Sequence, residues 1–490
     1  MNPEGVTQGF QIKKNEQRMS YRIYEKVKIT DAGSEGKAIA RIENLVIFIP
    51  FVVPGDIVDI QLVKNKKSYL EGKAIRFHKY AENRAVPFCT HFGICGGCRW
   101  QNMRYEDQLY YKQKQVVDNF TRIAKIENPR ILPILPSENT TYYRNKLEYT
   151  FSNRRWLTGD DLKLEPSQND QNALGFHIPL LFDKILDIDH CYLQKEPSNV
   201  IRLEAKRYAV ENHLSFYDAR KWQGFLRNLI IRNSNSGGLM VIFIFRDDDQ
   251  EVIQPFLHHF KRKFPDITSL FYVINPKKND VISDLPTHLY SGEPYITEKM
   301  NAFNSLKELK FRIGPVSFYQ TNSGQAVHLY RIAAEFAGFN GTETVYDLYT
   351  GTGTIANYIA GSVSKVTGIE SVADAVKDAK ENSRVNEITN TAFYTGEAEK
   401  ILTDEFVEKI GKPDVILTDP PRSGMHGKVV NAMLKIAPEK IVYISCNPAT
   451  QARDIYLMKE QYNLEKCQPV DMFPHTQHLE NVALLVKKAL

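Results

Sequence analysis

The chain of 490 residues has no apolar run long enough to span a bilayer. Its longest candidate, residues 45–53, is broken by Pro50 and followed by Pro54. No charged-then-apolar leader opens it, and the two absences together predict a cytoplasmic protein with no membrane partner. Cysteine is scarce, at six residues, and in that compartment thiols do not form a disulfide framework. Charge of one sign is also lacking: the net charge is only +5, which does not by itself predict a nucleic-acid partner. There is no internal repeat, and nothing signals an obligate protein partner. The length exceeds what one core can serve, so two to four domains are expected. A hydrophobic content of 42% with 25% charged residues is that of an ordinary globular protein.

The little excess charge present lies at one end. Residues 1–80 hold fourteen Lys and Arg against nine Asp and Glu, and the remainder is balanced. A basic module on a neutral body suits a phosphate-binding arm, although solvated lysines on a small barrel are the commoner explanation of such an excess. Residues 19–80 read as short strands separated by turns at Gly33–Gly36 and Pro54-Gly55-Asp56, the pattern of a small barrel. Residues 83–310 read as α+β, with strands at 226–232 and 239–245. A helix is expected after Cys98 with Leu109, Val116, Val117 and Phe120 on one face, and residues 158–174 are expected to be an exposed loop. From 311 to 490, strands at 345–348, 366–369, 415–418 and 441–445 alternate with helices such as 373–385 and 427–436, a doubly wound α/β pattern.

The first of those strands runs into Asp347-Leu348-Tyr349-Thr350-Gly351-Thr352-Gly353. Glycines there let the backbone turn tightly and approach a ligand, and Glu370, about twenty residues on, is placed to accept hydrogen bonds from a ribose. The third glycine of a dinucleotide fingerprint is missing. A later strand ends in Asp419-Pro420-Pro421-Arg422, where a tight turn would also use the prolines. The strand at 441–445 delivers Cys446 to the same carboxyl edge, where a thiol can serve as a carbon nucleophile; most free cysteines, however, are small buried hydrophobes.

These motifs, with Phe318-Tyr319-Gln320-Thr321-Asn322, Ser445-Cys446-Asn447-Pro448 and Pro474-His475-Thr476-Gln477-His478-Leu479-Glu480, strongly resemble the RNA uracil-C5 methyltransferases. The resemblance covers nearly the whole chain. It is weakest at residues 155–220, and the departures at Tyr349 and Pro421 leave the chemistry untouched. It implies an RNA-binding barrel of the TRAM type, similar to oligonucleotide-binding folds, at 19–80. A central α+β RNA-binding domain with a metal-cluster loop follows at 83–310, and a Rossmann-like class I methyltransferase domain at 311–490. It further implies S-adenosylmethionine as methyl donor, lined by Gln320, Tyr349, Glu370 and Asp419, with Cys446 as nucleophile at uracil C6 and Glu480 as general base. An arginine rather than an aromatic residue after Asp-Pro-Pro counts against amino-group methylation.

Cys89, Cys95 and Cys98 form C-x5-C-x2-C, and Cys191 stands apart. Spacing alone leaves zinc and an iron–sulfur cluster open; relatives with this pattern carry a [4Fe-4S] cluster, which the resemblance implies here, while Cys467 is expected to pack. The barrel and cluster point to the branch that forms 5-methyluridine in 23S rRNA. Transfer RNA, an amino-directed methyltransferase and a non-catalytic RNA-binding protein are the alternatives. Tyr142, Tyr143, Arg144, Lys146, Arg227 and Arg232 are candidates for RNA contacts in the central domain.

Overall fold

The structure is a computed structural model that describes residues 22–42, 45–159, 161–163 and 170–489. The chain divides into two compact units, one ending at Arg84 and the other running from Ala85. Among the described residues, no helix is long and apolar enough to cross a membrane.

The first unit contains β1 (Ile23–Lys28), β2 (Asp31–Ala32), β3 (Ala38–Ile42), β4 (Leu45–Ile49), β5 (Ile57–Asn65) and β6 (Tyr69–Lys79), in sheet order β1-β5-β6-β4-β3-β2. Pro50 stops β4 short of the apolar run that continues to Val53. Thr30, just past β1, donates its N–H to the Ile39 carbonyl of β3 (2.8 Å), curling the sheet back on itself around Ile29, Ala40, Ile47, Val58 and Ile60. Asp56, fully buried, fastens the end of the unit by accepting from the Val53 and Ala81 backbone and from the Arg84 guanidinium.

The second unit opens with helix α1 (Tyr105–Arg122). Its buried stripe is Gln108, Lys112, Val116 and Phe120, whereas Val117 is exposed and Leu109 only half-buried, so the expected apolar face is rotated. Two polar residues sit in the stripe because each is satisfied there. Lys112 Nζ lies 2.6 Å from Asp471 Oδ1 and donates to the Phe473 carbonyl, and Gln108 Nε2 donates to the Trp100 and Met103 carbonyls.

A seven-stranded sheet follows, built from β7 (Lys146–Ser152), β8 (Ala173–Ile178), β9 (Leu181–Asp187), β10 (Leu226–Asn233), β11 (Leu239–Phe245), β12 (Ser269–Ile274) and β13 (Thr287–Gly292). Helices α2 (Ser198–Glu211) and α3 (Gln250–Lys263) bury Ile201, Ala205, Phe256 and Phe260 against one face. Ile230, Met240 and Ile242 on the other face join the core of the catalytic region, so β10 and β11 are buried on both sides. Hence Arg227 and Arg232 of β10, expected as RNA contacts, are internal. Arg227 donates to the Asn275 and Asn279 carbonyls and to Asp280, Arg232 to the Gly314 and Ser317 carbonyls. Tyr143 is also buried, its hydroxyl on the Pro474 carbonyl. Tyr142, Arg144 and Lys146 remain partly accessible. In the expected 158–174 loop, Asp161–Lys163 form a 3-10 turn and β8 begins at Ala173; residues 160 and 164–169 lie outside the described residues.

The hairpin β14 (Ile296–Asn301) and β15 (Glu308–Ile313) leads to α4 (Ser323–Ala337). A division at residue 310 falls within β15. The final sheet alternates β16 (Thr344–Leu348), α5 (Thr354–Ile359), β17 (Lys365–Glu370), α6 (Ala373–Val385), β18 (Thr391–Thr395), α7 (Ala398–Ile401), α8 (Asp404–Ile410), β19 (Val415–Thr418), α9 (Gly427–Ile436), β20 (Lys440–Ser445), α10 (Pro448–Met458), β21 (Tyr462–Val470) and β22 (Glu480–Lys487). Its order is β18-β17-β16-β19-β20-β22-β21, with β22 antiparallel between its neighbours. Strand order reverses at β16 and β19, the place where such sheets open a ligand crevice.

Candidate active site

Strand register lines up the expected donor residues. Leu348 pairs with Ile369 on one side and Thr418 on the other, so the next positions, Tyr349, Glu370 and Asp419, emerge in one row along the carboxyl edge. Tyr349 (φ 63°), Gly351 (φ 55°) and Gly353 (φ 72°) fold the chain back in left-handed conformations. A side chain at Gly353 would stand 2.9 Å from the Ala379 methyl, whereas nothing lies near Gly351, whose backbone faces open space. Glu370 braces this loop by accepting from the Gly351 N–H (3.1 Å). Thr352 Oγ1 donates to the Phe318 carbonyl, bringing the Phe318–Asn322 segment and the buried Gln320 against the loop.

Two carboxyls in this crevice are electrostatically frustrated. Burial pushes Asp347 up to about 7, and its Oδ1 has no hydrogen-bond partner. Burial, with Asp347 adding to it, pushes Asp419 up to about 7 as well. Paired acidic groups, a bare carboxylate oxygen and a glycine turn with open space fit a ligand that is cationic near its centre, as a sulfonium methyl donor is.

The thiol and the expected base meet through an antiparallel pair. Ser445 is opposite Asn481, and one step outward Cys446 falls opposite Glu480. Asn447 caps α10 by accepting from the Ala449 N–H, and its Nδ2 donates to the Arg422 carbonyl, as does Thr450 Oγ1. The Arg422 guanidinium is thereby set beside Cys446, and it also donates to His478 Nδ1 (2.8 Å). Burial, then the charges of Glu480 and Asp419, push the Cys446 thiol up to about 11, with Arg422 opposing the shift. Glu480 is almost fully buried, its Oε2 has no partner, and burial followed by Asp419 holds its pKa well above the usual carboxylate range. Arg422 as partner of the thiol was not foreseen from the sequence, where it served only to argue against nitrogen chemistry; its position right after Asp-Pro-Pro was the available signal.

The loop carrying Glu480 is anchored from outside the sheet. The His475 carbonyl accepts from both Arg99 and Trp100 N–H, directly after Cys98, and Gln108 Oε1 accepts from the His475 N–H. Cys89, Cys95, Cys98 and the sequence-distant Cys191 line one cavity of about 890 Å³. Burial raises all four thiols, Cys98 to about 12 and Cys191 to about 11, and each of these two is raised further by other members of the set. Asn199 of α2 fixes Cys191 by bonding both its N–H and its carbonyl. Among the described residues, no three His, Cys, Asp or Glu converge tightly enough to hold a single metal ion. Cys467 is buried in the core at β21, away from both groups.

The tRNA (Uracil-5-)-methyltransferase family profile matches residues 286–488, and the TRAM domain profile matches residues 23–75. An uncharacterized RNA methyltransferase of Bacteroides thetaiotaomicron is 53% identical over 92% of this chain and 99% of its own length. One from Porphyromonas gingivalis is 50% identical over 94% and 99%. The solved structure of Pyrococcus abyssi tRNA (uracil-54, C5)-methyltransferase with S-adenosyl-L-homocysteine superimposes with a TM-score of 0.72 at 26% identity, covering 94% of this chain and all of that one. The chain belongs to the RNA uracil-5-methyltransferase family, as a TRAM-bearing member with a class I, S-adenosylmethionine-dependent catalytic fold.

Proposed function

We propose that this protein forms 5-methyluridine in 23S rRNA through a covalent Cys446 adduct. The observation that supports this best is that Cys446 and Glu480 each lie one residue beyond the Ser445–Asn481 pair of β20 and β22, with the Glu480 charge bearing on the thiol beside the donor crevice. Uracil C5 is a poor nucleophile until a thiolate adds to C6 and places an enolate across C4 and C5. Cys446 makes that bond, and Arg422 next to it favours the thiolate. S-adenosylmethionine, which Gln320, Tyr349, Glu370 and Asp419 would hold in the crevice, would supply an electrophilic methyl group, C5 bonding to it as the sulfonium carbon–sulfur bond breaks with its electron pair left on the thioether of S-adenosylhomocysteine. Glu480 then takes the C5 proton, the C5–C6 double bond re-forms, and the Cys446–C6 bond breaks with its electron pair returning to sulfur. A buried Glu480 with a raised pKa is a stronger base than an exposed glutamate once it is ionised.

Cys89, Cys95, Cys98 and Cys191 would hold a [4Fe-4S] cluster with a structural role. Zinc at about 2.3 Å from four sulfurs needs all of them to converge on one point. Four thiolates that each ligate a different iron need only surround one volume, and these four thiols do line a common cavity. Anaerobically purified protein is expected to be brown and to contain iron; a colourless, zinc-loaded and fully active protein would exclude the cluster.

Transfer RNA is the second reading, favoured by the Pyrococcus enzyme, whose span matches this chain so fully that the barrel does not separate the two substrates. Mapping 5-methyluridine in total RNA from a deletion strain tests the choice. Loss from 23S rRNA alone supports the first reading, and loss from tRNA with rRNA unchanged overturns it.

A further inference from the structure

Cys446 directly follows β20, and helix α10 begins two residues later at Pro448. Asn447, Thr450 and Asp454 recur at the three- and four-residue spacing of one helix face. All three bond to the 421–425 turn that follows Asp-Pro-Pro. Asn447 Nδ2 and Thr450 Oγ1 donate to the Arg422 carbonyl at 3.1 and 3.2 Å. Asp454 Oδ2 accepts from the Met425 N–H (2.8 Å), and the neighbouring Arg453 donates to the Ser423 and Met425 carbonyls. The turn is seated tightly. A side chain at Gly424, where φ is 78°, would stand 2.7 Å from Asp454 Oδ2 and 2.6 Å from Arg453 Nη2.

Asp454 is fully buried. Its Oδ2 accepts from the Met425 N–H and the Tyr443 hydroxyl, and its Oδ1 from Nε and Nη2 of Arg453. A buried carboxylate engaged on every side is a rigid anchor, because moving it leaves several polar groups without partners. Arg422, by contrast, is exposed, and a long cationic side chain in water keeps no single position of its own. Its place is set from both ends: α10 holds its backbone, and His478 Nδ1 accepts from its guanidinium (2.8 Å). That place matters to the thiol. Glu480 and Asp419 bear on Cys446 against ionisation, and Arg422 is the charge that opposes them.

We propose that Asp454 is a positioning residue for the reaction: it locks the 421–425 turn onto α10, so that the helix starting beside the nucleophile also holds Arg422 against it. Thiol and guanidinium are thereby fixed to one helix, although they follow different strands. The effect on turnover rests on Cys446 being the nucleophile, whereas the effect on the thiol does not.

Alkylation of Cys446 by iodoacetamide at pH 8, followed on its peptide in the full-length protein, tests this without RNA or methyl donor. Asp454→Asn keeps the shape of the side chain but turns an N–H₂ group toward the Arg453 donors. It is expected to slow alkylation about threefold, and to change nothing in an Arg422→Gln background, because the effect runs through that guanidinium. A variant that merely loosened the site would alter the rate in both backgrounds alike. Should Asp454→Asn fail to fold by circular dichroism, Arg453→Gln, at an exposed position, releases the same turn and carries the same two expectations. A parent-like rate in a folded variant, or an equal change with and without Arg422, would overturn the proposal. Absence of methyl transfer by the parent protein would count instead against uridine methylation and leave the alkylation result standing.

Discussion

At the residue scale the site is a balance between one thiol and the charges around it. With its pKa near 11, Cys446 in the ligand-free protein is ionised in only about one molecule in a thousand at pH 8. Its alkylation by iodoacetamide, followed on the Cys446 peptide by mass spectrometry, should therefore keep rising with pH through pH 10. Arg422→Gln removes the cation that opposes the shift and should slow alkylation several-fold at pH 8; a rate that levels off below pH 9 would contradict this electrostatic picture. Cys446 and Asp419 were legible in the sequence because each ends an apolar strand within a few residues of its motif. Arg422 as a neighbour of the thiol was not, because the two follow separate strands, β19 and β20, and only the fold brings the guanidinium beside the thiol.

At the scale of elements, α1 shows where hydrophobic periodicity misleads. Its buried stripe contains Lys112, neutralised by Asp471 with both side chains shut from solvent. Lys112→Met leaves the Asp471 carboxylate buried without its counter-charge and should cost about 3–5 kcal/mol, read as a lower urea midpoint at constant m-value. Combined with Asp471→Asn it should recover part of that loss. A single variant as stable as the parent would mean that the pair does not brace the 471–480 loop. The parallel strands β16, β17, β19 and β20 were readable from sequence because they are short, apolar and separated by helices. The reversed β22 was not, yet its direction is what brings Glu480 to face Cys446. The four cysteines were recognisable as a set, but only the fold brings Cys191 into the cavity of the other three.

At the scale of the molecule, the barrel is a unit with its own apolar core, closed at its end by the Asp56–Arg84 pair. Removing residues 1–84 should leave S-adenosylmethionine binding intact by calorimetry. It should also weaken binding to an rRNA fragment and flatten its salt dependence, since lost phosphate contacts no longer release counterions. Unchanged affinity and slope would show that the excess of lysines is only a solvated surface. The barrel was legible from its turn spacing. By contrast, the central and catalytic regions share one core through Ile230, Met240, Leu329 and Val345, and sequence reading divided what packing unites.

The covalent route itself is tested most directly by Glu480→Gln. With uridine-containing RNA and S-adenosylmethionine, this variant should still add Cys446 to C6 and methylate C5 but stall before proton removal. The expected result is a C5-methylated RNA–protein adduct that survives a denaturing gel, and Cys446→Ala should give neither adduct nor product. Normal turnover by Glu480→Gln without an adduct, or methylation of uridine by Cys446→Ala, would contradict the mechanism.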